Sequence, residues 1–177
     1  GGVCVPDDFE CTILPDDFDQ FAPILEKAVE RLPVLESAGI QTFFNGPESF
    51  TPDDRYMLGE APELKRFFVA AGFNSVGIQS AGGAGKALAE WMDAGSPQMD
   101  VRDVDIRRVH PFQTNRHYLS ARVSETLGLL YADHFPYRQF ASARGVRRSP
   151  VHNCLADHGA CFGEVAGWER ANWFLPE

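Results

Sequence analysis

At 177 residues and 44% hydrophobic content, the chain has room for one ordinary domain or two small ones around a buried core. Its formal charge of -9 disfavours nucleic acid and anionic membranes as partners, since both reward basic patches. No apolar run approaches the ~20 residues that cross a bilayer, and no charged, apolar and small-residue series marks a signal peptide.

Gly1-Gly2-Val3-Cys4 reads as a strand already under way, and Trp173-Phe174 runs straight into the last residues, so a piece of a longer polypeptide is expected. Asp16-Asp17 precedes Phe18, Phe21, Ile24, Leu25, Ala28, Val29 and Leu32, whose spacing puts them on one helix face. The spacing predicts an amphipathic helix with an Asp cap, Pro23 near its first turn or kinking it, and an end near Leu32, because Pro33 disfavours helical geometry in the residue before it. Gly39 then releases the chain into a strand, Ile40 to Phe44, closed by a turn at Asn45-Gly46-Pro47. Thr51-Pro52-Asp53-Asp54 is a second turn, followed by a strand from Arg55 to Gly59. The continuous apolar run Phe67-Phe68-Val69-Ala70-Ala71 reads as a strand buried on both faces.

From Gly82, residues Ala84, Ala87, Leu88 and Trp91 recur at helical spacing until Gly95-Ser96-Pro97 stops them. The charged stretch Asp100 to Arg108 looks like a connection, so two units are expected, Gly1 to about Gln98 and about Met99 to Glu177. Tyr118-Leu119, Arg122-Val123 and Thr126-Leu127 suggest one helix, and Ser149-Pro150 opens a shorter one through about Asp157. The rest reads as irregular and aromatic.

The stretch Gly72 to Gly85, with glycine also at 77, 82 and 83, lies between an expected strand and an expected helix. Glycine lets another group come close to the backbone, and a helix start presents unpaired N–H groups with a partial positive charge. Such a place holds an anion, or a carbonyl oxygen gaining negative charge, and its N–H groups are expected to face a concavity. It is not a Walker loop, because Ser80 stands where the first glycine is needed and Ala87 follows Lys86. Nor does Gly77 or Gly82 start a Gly-x-Gly-x-x-Gly dinucleotide fingerprint.

The order and spacing of Asn45-Gly46-Pro47-Glu48-Ser49-Phe50-Thr51-Pro52-Asp53, Leu58-Gly59-Glu60-Ala61-Pro62, Ala71-Gly72-Phe73-Asn74-Ser75 and Ala81-Gly82-Gly83-Ala84-Gly85-Lys86 resemble the last part of the FAD-dependent module in the dimethylglycine and sarcosine dehydrogenase family. Asp105-Ile106-Arg107-Arg108, Arg144 to Pro150 and Gly167 to Phe174 are similar to the central domain that follows it. The resemblance implies an α+β chain, a fragment of an α/β flavoenzyme: the end of a DAO-type FAD-binding module (a mixed sheet with helices) over residues 1–98, then a small helix-rich central domain over 99–177. It implies oxidation of an N-methylglycine, dimethylglycine or sarcosine, by hydride transfer from the N-methyl group to FAD. Ser75, Val76, Gly77, Ile78, Gln79 and Ser80 would line the flavin ring, with Gln79 able to add a side-chain donor. The family's Rossmann half and a folate-binding domain, the seat of tetrahydrofolate, would be the missing partners in the same polypeptide. A bacterial cytoplasm or a mitochondrial matrix would be the setting. The regulatory subunit of pyruvate dehydrogenase phosphatase carries similar motifs, including a run like Ala89-Glu90-Trp91-Met92, so a non-catalytic regulatory relative is the rival reading.

Cys4 and Cys11, then Cys154 and Cys161, are spaced too widely for a zinc knuckle, and reduced thiols are expected. His110, His117, His134, His152 and His158 are scattered and read as structural; no catalytic residue is assigned. Arg144, Arg147 and Arg148 could meet a carboxylate, but internal salt bridges suit them better in an acidic chain. Glu48 and Asp53 are candidates to face a substrate amine, and Trp168 and Trp173 read as core or interface anchors.

Overall fold

The computed structural model describes residues 9, 10, 12–134 and 138–176. Cys4, Cys11 and the strand expected at Gly1 to Cys4 lie outside them. Packing divides the chain into two compact units between Glu48 and Ser49.

The first unit is built on helix α1 (Phe18–Arg31). Asp17 caps it, its carboxylate accepting the Gln20 N–H at 2.9 Å, and the Leu32 N–H closes it on the Ala28 carbonyl at 2.8 Å before Pro33 starts a 3-10 turn. Phe43 stacks on Phe18 and meets Phe21 edge-on, with centroids 4.6 and 5.3 Å apart. The strand expected at Ile40 to Phe44 does not form. A strand needs a neighbour for its backbone groups, and among the described residues the pairing here is a single bridge, Leu14 to Asn45. No residue of α1 is buried, and Ile24, Leu32, Ile40 and Phe44 are exposed.

The second unit begins with an antiparallel hairpin, β1 (Met57–Glu60) and β2 (Phe68–Ala71), in register from Met57 opposite Ala71 to Glu60 opposite Phe68. The expectation that Phe67 to Ala71 is buried on both faces fails, because among the described residues β2 pairs with β1 alone and its residues are half-buried or exposed. Helix α2 (Gly77–Ala94) packs across the hairpin through Ala84, Ala87, Leu88 and Trp91. The Trp91 ring lies so close over β1 that a Cβ on Gly59, at φ +119°, would sit 2.5 Å from two ring carbons. Only glycine fits there. Leu58 and Val101 complete this core, and the Leu58 N–H donates to the Val104 carbonyl at 2.8 Å. The charged stretch from Asp100 to Arg108 is thus packed on β1 rather than running free.

Helix α3 (Arg116–Tyr131) is capped by Asn115, whose side chain accepts the N–H groups of His117 and Tyr118. Its buried face is polar: Tyr118, Arg122 and Thr126. The fully buried Arg122 pairs with Glu164, donates to the Ser142 carbonyl at 2.7 Å and lies 4.1 Å over the Phe140 ring. Beside it, burial would raise the Glu125 pKa, but bonds from the Ser142 hydroxyl and the Ala141 and Ser142 N–H groups hold it below the ordinary value.

After the short helix α4 (His152–Asp157) comes a hairpin that the sequence reading took for irregular chain, β3 (Ala160–Val165) and β4 (Trp168–Phe174). Its two-residue loop, Ala166-Gly167, has φ of +49° and +81°, the hand that matches strand twist. Arg144 and Glu169 form a bidentate pair against this hairpin, the internal salt bridge expected of that cluster. Arg147 instead stacks 4.3 Å from the Trp168 ring. Among the described residues, helices thus combine with two small antiparallel sheets, the α+β class expected.

Candidate functional site

The glycine-rich stretch folds as a strand, a tight turn and a helix. Gly72 has φ +66° and lies against Thr51, whose methyl carbon would be 2.7 Å from a Cβ there. Asn74 and Ser75 follow at φ +49° and +65°. Successive non-glycine residues in the left-handed region are strained by ~1–3 kcal/mol each, and persist only where the surroundings hold them. Here the hold is visible. Asn74 is buried; its Oδ1 accepts the Thr51 N–H at 2.7 Å, and its Nδ2 donates to the Thr51 hydroxyl at 3.0 Å and the Gly72 carbonyl at 2.8 Å.

Out of that turn the chain enters α2 at Gly77, five residues before the start expected at Gly82. Glycine at 77, 82, 83 and 85 costs a helix ~1 kcal/mol relative to Ala at each position. Burial of Ala84, Ala87, Leu88 and Trp91 overrides that cost. The six residues singled out in the sequence come together as one helix entry: Ser75 in the turn, Val76 at the cap, Gly77, Ile78 and Gln79 as the first turn, and Ser80 donating the first helical bond, to the Val76 carbonyl at 3.0 Å.

Val76, the N-cap residue, makes no side-chain cap bond, and no acidic residue sits in the first turn. The N–H groups of Gly77, Ile78 and Gln79 precede the first i to i−4 bond, so they carry the positive end of the helix dipole. Ile78 is fully exposed and Gln79 is exposed here, and cavities of about 220, 400 and 810 Å³ are all lined by residues outside 72–85, so none of these three is the expected concavity. Ile78, Ala81, Gly82 and Gly85 form an exposed stripe, with nothing within 4 Å of where a Cβ would stand at Gly82, Gly83 or Gly85. That stripe lets a flat ring or another backbone approach closely.

The other candidates are mostly engaged in structure. Asp53 is held by Arg108, whose Nε and Nη2 donate to its two oxygens at 2.7 and 3.0 Å, so it is not open to an amine. Glu48 belongs to the first unit. His134 meets the Leu129 carbonyl at 2.7 Å, His158 the Cys154 carbonyl at 2.7 Å, and His152 packs on Phe162. Cys154 and Cys161 are free thiols, and among the described residues no three metal-binding side chains converge. Trp173 is half-exposed and outside the core cluster. Sequence reasoning missed Thr51, Asn74 and Arg108 as the scaffold of the helix entry. Asn74-Ser75 after Gly72-Phe73 carried a signal, since Asn is among the residues that tolerate the left-handed region.

The sequence model for the FAD dependent oxidoreductase family matches residues 2–91, and that for the FAD dependent oxidoreductase central domain matches 94–149. The chain belongs to this family. It is 54% identical over 89% of its length to 4-methylaminobutanoate oxidase (formaldehyde-forming) of Paenarthrobacter nicotinovorans and 41% identical over 98% to mitochondrial sarcosine dehydrogenase of Mus musculus. It is also 40% identical over 92% to the mitochondrial pyruvate dehydrogenase phosphatase regulatory subunit of Mus musculus. The chain spans 19% of the length of each of these relatives. No helix among the described residues is long and apolar enough to cross a membrane.

Proposed function

We propose that this chain supplies the flavin-facing edge and the following central segment of an FAD-dependent enzyme that oxidises an N-methylated amino acid. The observation that carries the reading is the start of α2 behind a locked left-handed turn, with no acidic residue in its first turn, inside the segment that matches the FAD-dependent family. The residues present fit one edge of the cofactor. First-turn N–H groups from Gly77, Ile78 and Gln79 suit a carbonyl oxygen that gains negative charge, and the Gly82 and Gly85 stripe leaves room above the helix. They do not fit its pyrophosphate, for which these 177 residues hold no glycine fingerprint.

FAD, when bound, would take the hydride of the substrate's N-methyl group. The chain's part is to hold the ring edge, to stabilise charge there with fixed N–H donors, and to keep carboxylates out of the first turn. Sarcosine and dimethylglycine are the proposed substrates, and the likeness to a 4-methylaminobutanoate oxidase adds a longer amine of the same chemistry. We place the module's end near Gln98, close to where the two matched segments adjoin, and assign tetrahydrofolate to a further domain of the parent polypeptide. A non-catalytic regulatory role is the second reading, favoured by the 40% identity to a phosphatase regulatory subunit.

The full-length polypeptide decides between them. The oxidase reading expects bound FAD in the visible spectrum, bleached anaerobically by one of these N-methyl amines. Bound flavin that none of them reduces, or no flavin at all, would favour the regulatory reading.

A further inference from the structure

Arg108 spends every donor of its guanidinium inside the protein. Nε and Nη2 hold Asp53, Nη1 donates to the carbonyls of Val104 and Asp105 at 3.1 and 3.2 Å, and Nη2 also donates to the Arg55 carbonyl. Its side chain is 15% exposed. Asp53 and Arg55 lie in the turn that Thr51 closes, the Thr51 hydroxyl donating to the Arg55 carbonyl at 2.9 Å and accepting the Arg55 N–H at 3.0 Å. Thr51 is in turn the partner of Asn74, which holds the left-handed turn ahead of α2. Hydrogen bonds therefore run without a gap from residues 104–108, in the central-domain segment, to the helix entry in the FAD-dependent segment.

We infer that Arg108 is a positioning residue for the flavin, acting from the central domain through the Thr51 and Asn74 lock on the first-turn N–H groups of α2. The inference rests on the proposed flavin edge. Its physical basis is that the turn at Asn74 and Ser75 is strained and has little reason to keep its geometry once its partners are removed. Donors that must point at developing charge lose their effect when they drift by fractions of an ångström. The lock is also dry, with Thr51 and Asn74 4% and 3% exposed, so water cannot replace its bonds without opening the fold. A purely structural Arg108 would change stability and leave bound flavin unaltered.

The test uses the full-length polypeptide with Arg108→Lys, Thr51→Val and Thr51→Ser. Lys cannot reproduce the two-pronged grip on Asp53. Val keeps the shape of Thr51 and its contact with Gly72 but loses the hydroxyl, whereas Ser keeps the hydroxyl. Arg108→Lys and Thr51→Val should shift the flavin absorption bands and slow flavin reduction by the N-methyl amine about tenfold at unchanged KM, short of the 10²–10³ expected for deleting a donor. Amide exchange in the peptide covering 72–80 should quicken in both, and Thr51→Ser should match the parent protein in every readout. Should a variant lose its FAD, exchange of the apoprotein decides: faster exchange confined to 72–80 supports the inference, and faster exchange throughout the module overturns it. Folded, FAD-loaded variants with unchanged spectrum and reduction rate would overturn it and leave the flavin edge standing. A parent protein without flavin would instead sink the flavin edge itself, and the inference with it.

Discussion

Replacing Gly59 by Ala tests whether the wall between β1 and α2 is as tight as its geometry implies. The new methyl group would start 2.5 Å from two carbons of the Trp91 ring, and Trp91 is 3% exposed, closed in by Leu58, Leu88 and Val101. Phe68 meets the ring edge-on with centroids 6.1 Å apart, and the Arg107 guanidinium lies 5.3 Å from its centroid. Overpacking of this kind costs ~1–3 kcal/mol, and a side chain at φ +119° adds strain of ~1–3 kcal/mol, so roughly 2–6 kcal/mol should be lost. That is a large share of the 5–15 kcal/mol typical of a domain. Gly82→Ala is the internal control: it sits on the exposed side of the same helix with nothing within 4 Å, and should stabilise by ~1 kcal/mol through helix propensity. Urea denaturation of the 177-residue chain followed by Trp fluorescence reads both, with Trp91 as the buried reporter. Gly59→Ala losing less than about 1 kcal/mol would refute the argument, because the Trp91 ring would then be free to give way.

In the full-length polypeptide, Gly82→Ala should weaken FAD retention while stabilising the helix, and unchanged retention would separate that face from the cofactor. The 177-residue chain titrated with FAD should show no saturable micromolar binding by flavin fluorescence: a few backbone donors at ~1 kcal/mol net each fall short of the ~8 kcal/mol that micromolar affinity requires. Glu169 is held below its ordinary pKa of 4.5 chiefly by Arg144, with burial opposing and the Gly145 N–H assisting, so its contribution is present above that value and lost as pH falls through the lower folded one. Glu169→Gln should therefore flatten the acid limb of the stability curve below about pH 4.5, and an unaltered limb would count against the pair's role. Arg122→Met should cost ~3–5 kcal/mol by stranding buried Glu164, and adding Glu164→Gln should recover part of it; strictly additive losses in denaturation would show the two to be uncoupled.

Helices whose stop and start signals are local were legible in the sequence. Asp17 and Pro33 bracket α1, and Gly95 ends α2 in the left-handed conformation with its N–H on the Trp91 carbonyl, because capping depends on residues within one turn; α4, expected to open at Ser149-Pro150, starts at His152 behind Val151, which makes no side-chain cap bond. Strands were read less well, because a strand is defined by a partner that its own residues do not name. Ile40 to Phe44 has the composition of a strand yet finds one bridge, while Ala160 to Phe174 was passed over although Ala166-Gly167 sits between two runs of aromatic and aliphatic residues. The apolar face of Phe67 to Ala71 misled for the same reason: apolar residues report what could be covered, and the one paired neighbour, β1, covers only part of it.

The site follows the same division. The glycine spacing located the helix entry in the chain, but the helix starts five residues before the Gly82 expected, because burial of Ala84, Ala87, Leu88 and Trp91 carries it through the glycines. What no local rule could supply was the scaffold. Thr51 and Asn74 are 23 residues apart, and Asp53 and Arg108 are 55 apart. Each looks like an ordinary turn or surface residue until the fold brings them into one network with Thr51 and Asn74 buried at its centre. That network explains why a strained turn can persist beside an exposed, glycine-lined helix: the rigidity that the proposed flavin edge needs is supplied from behind, by bonds that use none of the first-turn N–H donors of α2.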